Sequence, residues 1–376
     1  MKELIKYELY KLLHRPLVYA SILGVLLMAG TMLVNWVAPG VNVVQEDRNG
    51  ERVMFEGSEA ISRSKEIAAR YQGPLTTEKV QSILETYGFS QAMMASRGMD
   101  SQRQAYYTHN FLYNIFSGDG FASSDGSYNG AAVEEIYGKI APDLIIGYSD
   151  GWESTTYATI YTFLVWCCVL VIILSPVFSE EYTRGTASLI LTGIRGRSKC
   201  PLAKIIASFL IALVGSLLLI GCFVLTFLLY YGPEGFQSSV QLSPLRLLSA
   251  TPYVISWGAA FGYGCLLWLA AAFVVTAVTL IVSALAKGSF PSLVISSVLF
   301  VVPMVLPSIT RDTPLYLPCC LMPINQLQLS GLFSLKPLSV SGAELPVMWL
   351  AVPVTIAAVA AGSVLSKKTF GRHQVM

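Results

Sequence analysis

The sequence predicts an all-α membrane protein: six transmembrane helices, an N-terminal amphipathic helix, and a mainly helical extracellular insert containing a β-hairpin. Three observations predict it. The 376-residue chain is 54% hydrophobic and 13% charged, where soluble domains carry roughly 25% charged residues. Several windows long enough to cross a bilayer carry no charge at all. The polar residues are gathered into one long region, 39–151, and a few short islands.

Residues 1–15, MKELIKYELYKLLHR, space Leu4, Ile5, Leu9, Leu12 and Leu13 as a helix does, with Lys2, Lys6, Lys11 and Arg15 among them. That pattern suits an interfacial amphipathic helix with its bases toward anionic headgroups. Pro16 then permits a bend into the first span, residues 16–38. A cleavable signal peptide is the rival reading, but the apolar run exceeds a typical signal core.

Residues 39–154 form the expected extracellular domain. Asn49-Gly50 between two candidate strands is a hairpin signal. Ser58 to Tyr71 reads as a helix. Thr76 or Thr77 caps a second, after the Gly73-Pro74 break, and it ends near Gly88. Asp100 to Phe116 reads as a third, with Tyr106, Tyr107, Phe111, Tyr113 and Phe116 as an aromatic cluster; such clusters are more often core than ligand surface. Gly118 to Gly130 reads as a loop. None of the seven cysteines lies in 39–151, so no disulfide framework is expected there.

Residues 155–376 hold the remaining spans, expected near 155–178, 205–231, 257–285, 290–307 and 346–365. With the N-terminus inside, segments 1–15, 179–204, 286–288 and 366–376 carry 13 Lys/Arg, and the short outside loops 232–256 and 308–345 carry 3. Basic residues gather on the cytoplasmic side. Both termini are therefore expected in the cytoplasm and the insert outside.

The expected spans hold no Asp, Glu, Lys, Arg or His. That disfavours an ion-coupled carrier, which keeps a titratable group in the membrane. A membrane sensor with an extracellular ligand-binding domain needs fewer spans. His14, His109 and His373 all lie outside the spans, no Cys/His spacing suits zinc, and no phosphate-binding Gly-x-x-x-x-Gly-Lys-Ser/Thr loop is present. The net charge of +2 gives no reason to expect nucleic acid. Any energy for uphill movement is expected to arrive from another chain.

The island 179–204 is the place for it to arrive. Glu180 and Glu181 open it, and Arg184, Arg195, Arg197, Lys199 and Lys204 follow. Gly185-Thr186 leads into Leu189, Ile190 and Leu191; Thr183 or Thr186 caps a short helix and Gly193 ends it. An ordinary cytoplasmic turn whose charges fix topology has the same features.

The chain resembles the membrane subunits of ATP-binding-cassette exporters of the type-2 permease class, and the likeness covers most of its length. It rests on the basic start, the large insert, the closely spaced later spans, and the run Glu180-Glu181-x-x-Arg184-Gly185-Thr186, Leu191-Thr192, Gly196-Arg197-x-Lys199, Ala203-Lys204. Where many members carry a proline after the Leu-Ser/Thr step, Gly193-Ile194 stands here. The insert, with Gly73-Pro74-Leu75-Thr76 opening its second helix, is similar to those of permeases from Gram-positive bacteria. The resemblance implies that 179–204 contains the coupling helix, with Glu180, Glu181, Arg184, Gly185, Thr186, Leu189, Leu191, Arg195 and Arg197 toward a partner ATPase subunit. It further implies a homodimer or a heterodimer with a similar permease in the bacterial plasma membrane. No catalytic residue and no cofactor belong to this chain, since the partner binds ATP.

Overall fold

The computed structural model describes residues 1–48, 51–87, 111–123, 128–193, 196–311, 313–340 and 343–372. The hairpin tip Asn49-Gly50, the aromatics Tyr106 and Tyr107, His109, His373 and the site candidate Arg195 fall outside these residues.

Helix α1, Lys2–Leu13, ends at His14, and Pro16 opens α2, Pro16–Met32, which continues as a π-helical turn to Val37. Proline suits a first helical position because its missing N–H would have no partner there. Strands β1, Val43–Arg48, and β2, Glu51–Glu56, pair antiparallel from Val43↔Glu56 to Arg48↔Glu51. Helix α3, Gly57–Tyr71, buries Ala60, Ile61, Ser64, Ile67 and Ala68 at helical spacing. The short strand β3, Gly73–Pro74, leads to α4, Thr77–Tyr87, whose Thr76 hydroxyl accepts the Lys79 N–H at 3.3 Å. Of the third expected helix, the described part is α5, Phe111–Gly118. Helix α6, Val133–Tyr137, and strand β4, Ile145–Ile146, complete the insert, with β4 paired to β3.

The long helices follow. Helix α7, Asp150–Leu174, breaks at Ser175-Pro176 into α8, Pro176–Thr183, and then α9, Thr186–Thr192. Helix α10 is Lys199–Tyr230 and α11 is Trp257–Leu285. Helix α12, Ser289–Val301, turns at Pro303 into α13, Leu306–Thr310. Short helices α14, Tyr316–Cys320, α15, Pro323–Gln328, and α16, Ser330–Phe333, precede the paired strands β5, Leu338–Val340, and β6, Ala343–Leu345. Helix α17, Ala351–Gly371, closes the chain.

Among the described residues, five helical stretches are long and apolar enough to cross a membrane: 16–37, 150–183, 199–230, 257–285 and 347–371. The segment expected as a further span, 290–307, differs. Its apolar helix runs only Ser289–Met304, or about 24 Å at 1.5 Å per residue, against a hydrocarbon core of about 30 Å. Pro303 is the cause, having no N–H to continue the ladder. The Asn325 side-chain amide covers the break, donating to the Pro303 carbonyl at 2.9 Å and the Cys319 carbonyl at 2.7 Å. The α7–α8 and α11 stretches are the most enclosed, with 67% and 61% of their most apolar windows buried against 17–28% in the other three.

The chain forms two compact units, one of residues 32–158 with 223–263, the other of 1–31, 159–222 and 264–376. In the first, the connector 232–256 is woven into the insert. Ser239 N–H donates to the Ile145 carbonyl at 2.9 Å, and the Trp152 indole to the Glu234 carbonyl at 2.8 Å. Buried Glu153 accepts the N–H groups of Leu245 and Leu247, each at 2.7 Å, and the Ser243 hydroxyl at 3.0 Å. Gly235 has φ +78°, and a Cβ there would lie 1.6 Å from the Tyr148 carbonyl oxygen, so only glycine fits. Phe116 packs edge-on against Phe121 at 5.8 Å, both fully buried, which is a core role.

In the second unit, hydroxyls cover the α7–α8 break. The Ser175 carbonyl accepts from Ser283 at 2.6 Å and from Ser179 and Ser292 at 2.8 Å, and the Ser283 oxygen accepts the N–H groups of Phe178 and Ser179. Broken backbone within a bilayer persists only when such groups are re-satisfied. The Tyr182 hydroxyl donates to the Ala284 carbonyl at 3.1 Å, and the Phe178 and Tyr182 rings pack tilted against Phe370 with centroids 5.0 and 5.8 Å away. The end of α11, the start of α12 and the end of α17 therefore all meet α8.

Candidate functional site

The polar island folds as two short helices and a turn. Gly185, at φ +67°, is the left-handed corner between α8 and α9, a conformation a side chain would disfavour. Gly193 follows the last residue of α9. Neither threonine caps α9. Thr183 donates to the Ser179 carbonyl, and Thr186 donates to the Glu181 carboxylate. Arg197 closes the far end, its Nε donating to the Leu191 carbonyl at 3.2 Å. A cation near the last carbonyls of a helix complements its dipole.

Beneath this corner lies a buried ion cluster. Lys204, 1% exposed, donates to Glu181 at 2.9 Å and to Glu8 at 3.0 Å. Lys11 reaches the same Glu181 oxygen at 2.6 Å. A buried ammonium would lose several kcal/mol of hydration, of order 3–5 kcal/mol if left unpaired, so two carboxylates on one lysine are what its burial demands. Alongside, Glu180 holds Arg184 at 2.6 Å on one oxygen and Arg15 on the other. Burial pulls the Arg15 guanidinium below its ordinary pKa, with Glu180 opposing.

Each candidate residue now has a location. Glu180 and Glu181 face inward to α1 and α10. Leu191 is 3% exposed and packs internally, whereas Leu189 is 77% exposed. Arg184, Gly185 and Arg197 are exposed, Thr186 is half-buried, and Arg195 lies outside the described residues. The structure thus brings Glu180, Glu181, Arg184 and Thr186 together at one corner and leaves Leu189 at the surface.

Four participants stand outside the expected docking set. Lys11 and Arg15, expected to face headgroups, turn inward instead because Glu181 and Glu180 lie beneath them. Glu8 carries the signal that could have found it: it sits three residues after Ile5 and four before buried Leu12, an acid on the apolar stripe of α1. Lys204 sits within the first apolar turns of a membrane helix, where a charge asks for a partner.

Among the described residues, no group of His, Cys, Asp and Glu could hold a metal ion. The corner's chemistry is that of a braced surface: short helices, exposed Leu189 and the exposed arginines Arg184 and Arg197, on a base of paired charges. In comparison with known proteins, a family model described as ABC-2 family transporter protein matches residues 14–341. No curated protein matches the chain.

Proposed function

This chain belongs to the ABC-2 transporter family, and on that premise we propose that it is the permease subunit of an ATP-binding-cassette exporter, docking a separate ATPase through 179–204. It is a multi-pass membrane protein and a membrane component of transport. The finer reading adds coupling, direction and assembly. Two ATPase subunits bind a dimer of this chain, with itself or a similar permease. ATP closes the ATPase pair, and the short α8–α9 corner passes that motion to the spans as substrate leaves the cell.

The observation that carries this reading is the bracing of the corner. A docking element transmits motion only if it is tied to what must move. Leu189 stands out from α9. Behind it, Glu181 ties α8 to α1 and α10. Ser283, Ser292 and Tyr182 tie α8 to α11 and α12. A push on Leu189 therefore reaches α7, α10, α11 and α12 through direct contacts.

The same contacts support an orientation. The N-terminal helix, the α8–α9 corner, the α11–α12 turn and the end of α17 gather at one end of their unit, and they carry the basic excess noted above. The positive-inside rule puts that end in the cytoplasm of a bacterial plasma membrane, with both termini. Since α12 leaves this end and α17 returns to it, 289–371 goes out and back, which supports six crossings with the Pro303 break inside one of them. The insert is then extracellular.

A photo-crosslinker at position 189 tests docking. The reading expects the adduct to contain an ATP-binding-cassette ATPase in cells expressing both chains. Adducts with lipid only would overturn it.

A further inference from the structure

Beside the docking corner lies a second feature that coupling does not use. Arg197, Val364, Lys367, Lys368, Gly371 and Arg372 line a cavity of about 380 Å³ between the turn after α9 and the last turns of α17. Four of the six are cations, and no acidic residue is among them. Among the described residues none of the four is ion-paired. Four basic residues of the neighbouring corner behave differently: Lys11, Arg15, Arg184 and Lys204 each hold a carboxylate. Four unneutralised cations around one concavity repel each other and concentrate an anion.

We propose that this cavity seats the phosphate of an anionic phospholipid from the cytoplasmic leaflet. Basic pockets at the cytoplasmic ends of membrane helices suit such headgroups. The lipid source, rather than free phosphate, follows from the surroundings. Val364 forms part of the wall and is exposed, as are Ala361, Ala357 and Val354, which follow it inward on the same face of α17. That strip runs along α17 away from the basic rim, as an acyl chain attached to the seated phosphate would.

The seat also reaches the docking helix. Arg197 lines the cavity and caps the Leu191 carbonyl with its Nε. An anion holding the guanidinium steadies that cap, and with it the C-terminal end of α9. Anionic lipid is then a regulator of the docking surface, not cargo.

The inference rests on the orientation proposed above. Headgroup preference is read without any ATPase, so the two ideas fail separately. The full chain is purified in neutral detergent and titrated with short-chain phosphatidylglycerol or phosphatidylcholine of equal chain length. Wild type should bind phosphatidylglycerol at least tenfold more tightly, and K367Q/K368Q/R372Q should lose that preference. Millimolar inorganic phosphate should fail to displace the lipid. Equal binding of the two lipids by wild type, unchanged preference in the triple variant, or full displacement by phosphate would each overturn the proposal. Should the triple variant misfold, hydrogen exchange on wild type decides. Amides of 189–193 should exchange more slowly in phosphatidylglycerol nanodiscs than in phosphatidylcholine, and equal rates would count against the seat.

Discussion

Replacing Lys204 by Met should destabilise the protein far more than a charge removal at the membrane surface would. The lysine is 1% exposed and holds Glu8 at 3.0 Å and Glu181 at 2.9 Å. Without it, Glu181 keeps Lys11 and Thr186, but Glu8 is left buried with no direct ion pair among the described residues. Removing one partner of a buried ion pair costs about 3–5 kcal/mol. One orphaned carboxylate rather than two argues for the lower end, about 3 kcal/mol, or roughly a hundredfold in the folding equilibrium. Adding Glu8→Gln removes the orphan's charge, so the double variant should be more stable than the sum of the singles implies. The coupling should be about 1–3 kcal/mol. Titration of purified protein with denaturing detergent, followed by tryptophan fluorescence, measures both. Single effects that add within about 0.5 kcal/mol would refute the reasoning, since the lysine would then not depend on Glu8.

Leu189→Asp should leave thermal stability within about 0.5 kcal/mol, as exposed substitutions do, while abolishing capture of the ATPase; Leu191→Asp should unfold the corner, read as faster proteolysis near 190. Glu153→Gln should lower stability by about 1–3 kcal/mol, because a side-chain NH2 would face backbone N–H donors where a carboxylate oxygen had accepted them. Protease cleavage within 243–247 should rise, and an unchanged pattern would mean the carboxylate is not the clamp. In a cysteine-free background, Ser198→Cys should react with an impermeant thiol reagent only after permeabilisation, and Gln237→Cys in intact cells. The reverse pattern would invert the topology. Native Cys319 and Cys320 are poor reporters, since both are buried.

The spans were legible because apolar length is a local property of the chain. Helix α11 occupies Trp257–Leu285, the range that its uncharged run marks out. The docking segment was legible because charge between apolar runs is equally local. What stayed hidden is long-range. Lys11 and Glu181 are 170 residues apart in sequence, and Glu8 and Lys204 are 196 apart. Nothing within either segment announces its partner. The same holds for Glu153, whose neighbours give no hint that its ligands lie some 90 residues on. The connector 232–256 is polar-to-mixed in composition, compatible with a partly membrane-buried segment, yet it belongs to the insert's own unit because Ser239 and Glu234 pair with residues 145 and 152. The break in the 290–307 run was within reach, since Pro303 was visible, but proline alone does not say whether neighbours will bridge a gap.

Coupling itself is tested most directly in vesicles. The permease is reconstituted with the ATPase that crosslinks to position 189, and ATP hydrolysis is measured for wild type and Leu189→Asp at equal protein. Wild type should raise hydrolysis severalfold over the ATPase alone, and Leu189→Asp should return it to the ATPase's own rate while remaining folded. Equal stimulation by both proteins would mean that the exposed leucine of α9 carries no contact, and that the corner at 179–204 is a turn and not a docking surface.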